Sequence, residues 1–207
     1  MSLVAWKPAK GNRLSVDFVN LPFTSGDPAA HPASWLELIE FLAEKKIVSG
    51  SRGDELRRLP ETDPNAAETL LSHAGRLGDG MRSAFRAKIR GARVQREWVE
   101  PINIILRVTE GHDELEWDGP GWKLGFVAKH ERLEWLLAAI ARSGAELIAE
   151  GEKRLQQCSN PNCQLLFCDD SRTRRRRWCS MAMCGNRSKV AAFARRRVAP
   201  KARVHHA

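Results

Sequence analysis

The feature that most constrains this chain is the placement of its five cysteines, all of which fall between residues 158 and 184 of a 207-residue sequence. The segment reads CSNPNCQLLFCDDSRTRRRRWCSMAMC. Cys158 and Cys163 are separated by four residues, as are Cys179 and Cys184, and 15 residues lie between the two pairs. Two close pairs across such a spacer are the arrangement by which four thiolates converge on one tetrahedral metal ion. Four thiolates leave no open position for water, so one structural Zn2+ per chain would build the fold rather than catalyse. The competing reading is a set of ordinary buried thiols that lie close together. Disulfides are disfavoured, because the cysteine count is odd and the N-terminus MSLVAWKPAKGNRLSVDF lacks the apolar core of a signal peptide, which points to a reducing cytoplasm.

The spacer is expected to fold as a hairpin that brings the two pairs together. The second pair then opens a helix over NRSKVAAFARRR, on which Val190 and Phe193 share one side. Knuckle, hairpin and helix in this order describe a treble-clef-like finger, too small to fold without its metal. Cys168 follows Leu165, Leu166 and Phe167 and reads as a buried small hydrophobe, with ligand exchange or redox sensing as alternatives. Trp178 reads as packing against the knuckle rather than as a base-stacking platform. Pairs with a four-residue gap are not thioredoxin-type motifs, and no nearby histidine suggests a cysteine nucleophile, so no catalytic residue is assigned.

Charge is divided unevenly. Residues 151–207 hold 14 Lys+Arg against 3 Asp+Glu, whereas residues 1–150 hold 20 against 22. Arg172, Arg174, Arg175, Arg176 and Arg177 lie between the cysteine pairs, and Arg187, Lys189, Arg195, Arg196 and Arg197 lie on the helix beyond them. Anchored to one metal, they would form a single cationic face suited to DNA phosphates. A solvated basic surface, or a patch for RNA or an acidic protein, is the plainer reading of the same charge.

The preceding 150 residues read as a mainly α domain with one small β-hairpin, giving an α+β chain of two units, 1–150 and 151–207. LSVDFVNL at 14–21 suits a short helix with Asp17 and Asn20 on one side. LPFTSGDPAAHPAS reads as a loop, and Ser34 with Glu37 as a capping box for the helix from Trp35. A short helix over SRGDELRRLPET is expected to end at Pro60. Asp63–Pro64 opens a long periodic segment to Ile89, with Gly78 and Gly80 weighing against one unbroken rod. PINIILRVTE stays unassigned. Two β-prone arms flank Asp118–Gly119–Pro120–Gly121, and HERLEWLLAAIARSGAELIAEGEKRLQQC reads as one amphipathic helix running to Cys158. Asp17, Asn20, His31 and Trp35 are candidates for lining a ligand pocket, and Arg82 for meeting an anionic ligand; each has a structural role as its plainer alternative. No phosphate-binding loop, HExxH or activated-serine motif is present, and no apolar run is long enough to cross a bilayer.

The cluster Cys158…Cys163…Leu166–Phe167…Asp170–Ser171–Arg172…Arg177–Trp178–Cys179–Ser180–Met181…Cys184–Gly185–Asn186–Arg187 resembles the CGNR zinc finger. LSVDFVN and the helix from Trp35 resemble the ABATE domain that precedes that finger in its family. The resemblance implies a bacterial, stress-induced transcription regulator rather than an enzyme. It further implies that Cys158, Cys163, Cys179 and Cys184 ligate zinc, that the finger binds duplex DNA, and that the N-terminal domain takes a small ligand. Cys168 departs from the apolar or aromatic residue usual there. A homodimer is compatible with this reading, a membrane partner is not, and ligand or oligomer state would act on the finger through the helix expected at 130–157. The rivals are an RNA-binding or ribosome-associated zinc module and an enzyme with an N-terminal pocket.

Overall fold

The computed structural model of the protein describes residues 13–21, 34–48, 50–117, 119, 121–129, 132–150 and 154–198. The chain is mainly helical, and its longest element is α5 (Pro64–Ile89). Asp63 caps α5 by accepting the Ala66 N–H at 3.0 Å, and Pro64 occupies the first turn, where its missing N–H needs no partner. Ala67, Leu70, Ala74, Leu77, Met81 and Phe85 repeat at helical spacing and are all buried.

Around α5 pack α1 (Leu14–Val19), α2 (Trp35–Glu44), α6 (Arg96–Val108) and α7 (Ala138–Ala149). Helices α3 (Gly50–Arg57) and α4 (Leu59–Thr62) connect α2 to α5. The fully buried Phe18, Leu38, Ile39, Leu42, Phe85, Ile102 and Ile105 belong to one apolar cluster, each side chain contributing roughly 1.5–3 kcal/mol by leaving water. Ser34 caps α2 by accepting the Glu37 N–H at 3.2 Å.

Several expectations are corrected by the packing. The α5 rod is unbroken through Gly78 and Gly80. Gly80 is required by a close crossing: a Cβ there would lie 2.5 Å from the Trp98 carbonyl oxygen and 3.3 Å from Pro101 Cγ. Pro101 sits inside α6, so the unassigned segment is a helix whose apolar face, not its propensity, holds it against α5. Pro60 does not end a helix; it lies in the first turn of α4, after α3 has closed at Arg57. The expected 130–157 helix is a 3-10 turn (Leu133–Leu137) followed by α7, which stops at Ala149. Residues Leu155–Gln157 instead form strand β3 (numbered after the hairpin strands below), because Leu155 is drawn into the core and the chain pairs as a ladder.

Strands β1 (Gly111–Trp117) and β2 (Trp122–Ala128) form the expected antiparallel hairpin, with Gly119 at φ +68° in its turn. Trp117 and Trp122 face each other edge to face at its end, centroids 5.5 Å apart. Strand β4 (Leu166–Cys168) pairs antiparallel with β3. Leu155, Leu166 and Cys168 belong to the same apolar cluster as the helical body, so the C-terminal segment is seated on the body from its first strand. The loop expected at 21–34 lies, apart from its ends, outside the described residues, and His31 with it. No described helix is long and apolar enough to cross a membrane.

Candidate metal centre and nucleic-acid interface

The first cysteine pair sits at the tip of the β3–β4 hairpin. Cys158 N–H donates to the Leu165 carbonyl at 2.9 Å and extends the ladder by one rung. The turn is closed by Cys163 N–H to the Asn160 carbonyl at 2.9 Å and Asn162 N–H to Asn160 Oδ1 at 3.1 Å. Of the second pair, Cys179 precedes and Cys184 lies within a π-helical turn (Met181–Gly185) that leads into α8 (Asn186–Val198). Ser180 caps that turn by accepting Met183 N–H at 3.4 Å. Gly185 lies beneath Met181 and Trp178; a Cβ would come within 2.7 Å of Met181 Sδ and 3.4 Å of Trp178 Cδ1.

These two turns bring all four Sγ atoms within 4.8 Å of one another. Cys163 Sγ lies 3.8 Å from Cys179 Sγ, which lies 3.7 Å from Cys184 Sγ. A tetrahedral site with Zn–S bonds of about 2.3 Å has S···S edges of about 3.8 Å, whereas a disulfide requires about 2.05 Å. The donor set therefore fits one zinc ion, and none of the five cysteines is joined in a disulfide. Hydrogen bonding from Cys179 holds the Cys163 thiol down at about 5, and the same bond, with burial, pushes Cys179 up. Burial also pushes up Cys158. Thiolates this close repel one another, so a divalent cation is what allows them to ionise together. The Asn160 amide donates to Cys184 Sγ at 3.4 Å, a support for the sulfur that the cysteine spacing alone did not reveal. Cys168 is outside the four-thiol group and buried in the main core, as a small hydrophobe would be.

The spacer between the pairs is not a hairpin. Because β3 precedes Cys158, the hairpin straddles the first pair, and residues 169–178 form a loop gathered around the Asp169 carboxylate. Asp169 Oδ1 accepts Ser171 N–H at 3.0 Å and Ser171 Oγ–H at 2.6 Å, while Oδ2 accepts Arg176 N–H at 2.9 Å. Burial works to raise the Asp169 pKa, but these hydrogen bonds outweigh it and hold the carboxyl below its ordinary range. The motif Asp-Asp-Ser carries a turn signal that could have indicated this role.

Arg176 is committed to the same loop. Its guanidinium donates to the Trp178 carbonyl at 2.9 Å and to the Cys179 carbonyl, and lies 4.7 Å from the Phe167 ring centroid. It therefore braces the cysteine-bearing turn and leaves the set of cations expected to meet phosphate. Arg172, Arg174, Arg175 and Arg177 are exposed, the last lying over Trp178 at 5.4 Å. Trp178 packs on the zinc-site cluster as expected. Arg187 and Lys189 are exposed on α8, and Arg195, Arg196 and Arg197 fall in its last turns. The expectation that Val190 and Phe193 share one side of the helix meets two exposed side chains, since α8 packs chiefly on the π-helical turn that starts it.

Among the described residues, the N-terminal candidates Asp17, Asn20, Trp35 and Arg82 each join one element to another. Asp17 pairs with Lys45 at 2.6 Å, joining α1 to the end of α2. Trp35 Nε1–H donates to the Leu56 carbonyl at 2.8 Å, and Arg82 to the Val19 carbonyl at 3.0 Å at the end of α1. Burial lowers the Arg82 pKa, against the favourable charge of Asp79. Asn20 has the most consequential contacts: its amide donates to the Leu166 carbonyl at 2.7 Å and accepts Leu166 N–H at 2.9 Å. One side chain thus occupies the outward backbone groups of β4 as a third strand would. A surface cleft of about 630 Å3 lies elsewhere, lined by Arg93, Val94, Gln95, Arg96, Val99, Asn103 and Ile148.

The ABATE family model, described as "Putative stress-induced transcription regulator", matches residues 12–151, and the CGNR zinc finger model matches residues 154–197. No curated protein matches the chain.

Proposed function

Starting from the fact that the chain belongs to the ABATE family and carries a CGNR zinc finger, we propose that it regulates transcription by binding duplex DNA through a cationic face built on the four-thiol site. The observation that carries this reading is the placement of exposed cations. Arg172, Arg174, Arg175 and Arg177 are exposed on the loop that precedes Cys179, and Arg187 and Lys189 on the helix that follows Cys184; Arg195–Arg197 belong to the same helix. Metal ligation anchors both segments at one point, so their charges act together on a polyanion. A zinc module for structured RNA presents the same charge. The test compares the affinity of zinc-loaded protein for random duplex DNA and for a stem-loop RNA at matched salt. Duplex preference supports this proposal, and RNA preference replaces it.

The ligand-responsive part of the proposal places a small molecule in the cleft at the start of α6. Arg93 and Arg96 there suit an organic anion, and Val94, Val99 and Ile148 an apolar body. No carboxylate, histidine or thiol is among these lining residues, which favours binding over proton-transfer chemistry. Since α7 ends before the finger, the contacts from body to finger are those of α5 with β3 and of α1, whose C-cap Asn20 holds β4. Identical DNA affinity with and without a saturating cleft ligand would remove this part of the proposal.

A further inference from the structure

Helix α8 presents a combination that a solvated basic helix does not need. Val190 and Phe193, three residues apart, are 68% and 62% exposed, and Met181 and Met183 on the preceding turn are also exposed. The same 13 residues carry Arg187, Lys189, Arg195, Arg196 and Arg197 and no acidic residue. Apolar side chains on a helix ordinarily cover the body or a second copy. A second copy of α8 would bring five more positive charges against five, which charge repulsion opposes. A polyanion fits the charge, but phosphates offer nothing to an isopropyl group or a phenyl ring. The thymine C5-methyl, displayed in the major groove, does offer such a contact. A helix of this length spans about 20 Å, and the groove, about 12 Å wide, admits one.

We propose that α8 enters the major groove and that Val190 and Phe193 determine specificity by contacting thymine methyl groups, while Arg172, Arg174, Arg175 and Arg177 hold the flanking phosphates. This inference rests on the duplex-DNA reading above and adds to it which helix reads and what it reads. The experiment selects bound duplexes from a random pool and then replaces their thymines with uracil, which deletes only the methyl group. Zinc-loaded native protein should lose roughly fourfold in affinity for each contacted methyl removed. The Val190→Ala/Phe193→Ala variant, whose changes are at exposed positions, should bind the thymine duplex correspondingly more weakly and be indifferent to uracil. Its zinc content and log–log salt slope should match the native protein, because its phosphate contacts are intact.

Equal native affinity for thymine and uracil duplexes would overturn the inference while leaving DNA binding in place. Undiminished methyl sensitivity in the variant would overturn it too, as would a native dimer that the variant converts to monomer. Failure of the native protein to bind any duplex would remove the underlying reading instead.

Discussion

Replacing Asn20 tests whether the finger is seated on the helical body or merely tethered to it. The side chain is 3% exposed and bonds both outward backbone groups of Leu166, at 2.7 and 2.9 Å. In Asn20→Ala, a buried C=O and a buried N–H lose their partner together, at roughly 1–3 kcal/mol each. A total near ~3 kcal/mol lowers Tm by roughly 6–12 °C in a chain of this size. Asn20→Asp keeps the acceptor but sets a carboxylate against the Leu166 carbonyl, and should be at least as damaging at neutral pH. Urea unfolding is followed by tryptophan fluorescence and, in parallel, by zinc release to a chromogenic chelator. Both transitions should move to lower urea together, because Leu155, Leu166 and Cys168 share the body's core. A fluorescence midpoint that moves while zinc release stays in place would refute the shared seating, as would shifts of less than about 0.5 kcal/mol in both.

Three further outcomes follow from the packing. Gly80→Ala should cost at least about 2 kcal/mol in urea unfolding, because the added methyl meets the Trp98 carbonyl at 2.5 Å and helices α5 and α6 must part. Asp169→Ala should release the arginine loop and make trypsin cut within residues 172–177 far faster at neutral pH. Since the folded Asp169 pKa is lowered, its contribution is present above the ordinary value near ~3.9 and lost as pH falls through the lower folded value; the variant should lack that acid-dependent loss. Changing Arg172, Arg174 and Arg175 to Ala should flatten the salt slope of duplex binding by nearly ~3, whereas Arg176→Ala should weaken zinc retention and alter the slope by less than ~1.

The metal site was the most legible feature because ligand spacing directly limits how four thiolates can converge. Helices α2 and α5 were legible for a similar local reason: Ser34 and Asp63 announce their starts, and apolar residues repeat along one face. Elements whose shape depends on distant partners were not. Pro101 argues against a helix that packing on α5 maintains, and Gly80 reads as a break although it is the close approach of the Trp98 carbonyl that requires it. The 155–157 segment continues a helical pattern, yet becomes a strand because β4 lies alongside it. Asn20 and Arg176 carried polar signals that suited ligand and phosphate equally well. Only the position of Leu166, 146 residues from Asn20, and of the Trp178 and Cys179 carbonyls assigns them to holding the finger together.

The most direct test of the central claim is the salt dependence of duplex-DNA binding by the zinc-loaded chain, repeated after the metal is withdrawn by a chelator. Six exposed cations, Arg172, Arg174, Arg175, Arg177, Arg187 and Lys189, predict a log–log slope of about −5 if each meets a phosphate. Loss of zinc should abolish most of that binding, because the segments that carry these charges lose their common anchor. A slope near zero, or the same affinity and slope with and without zinc, would contradict the account.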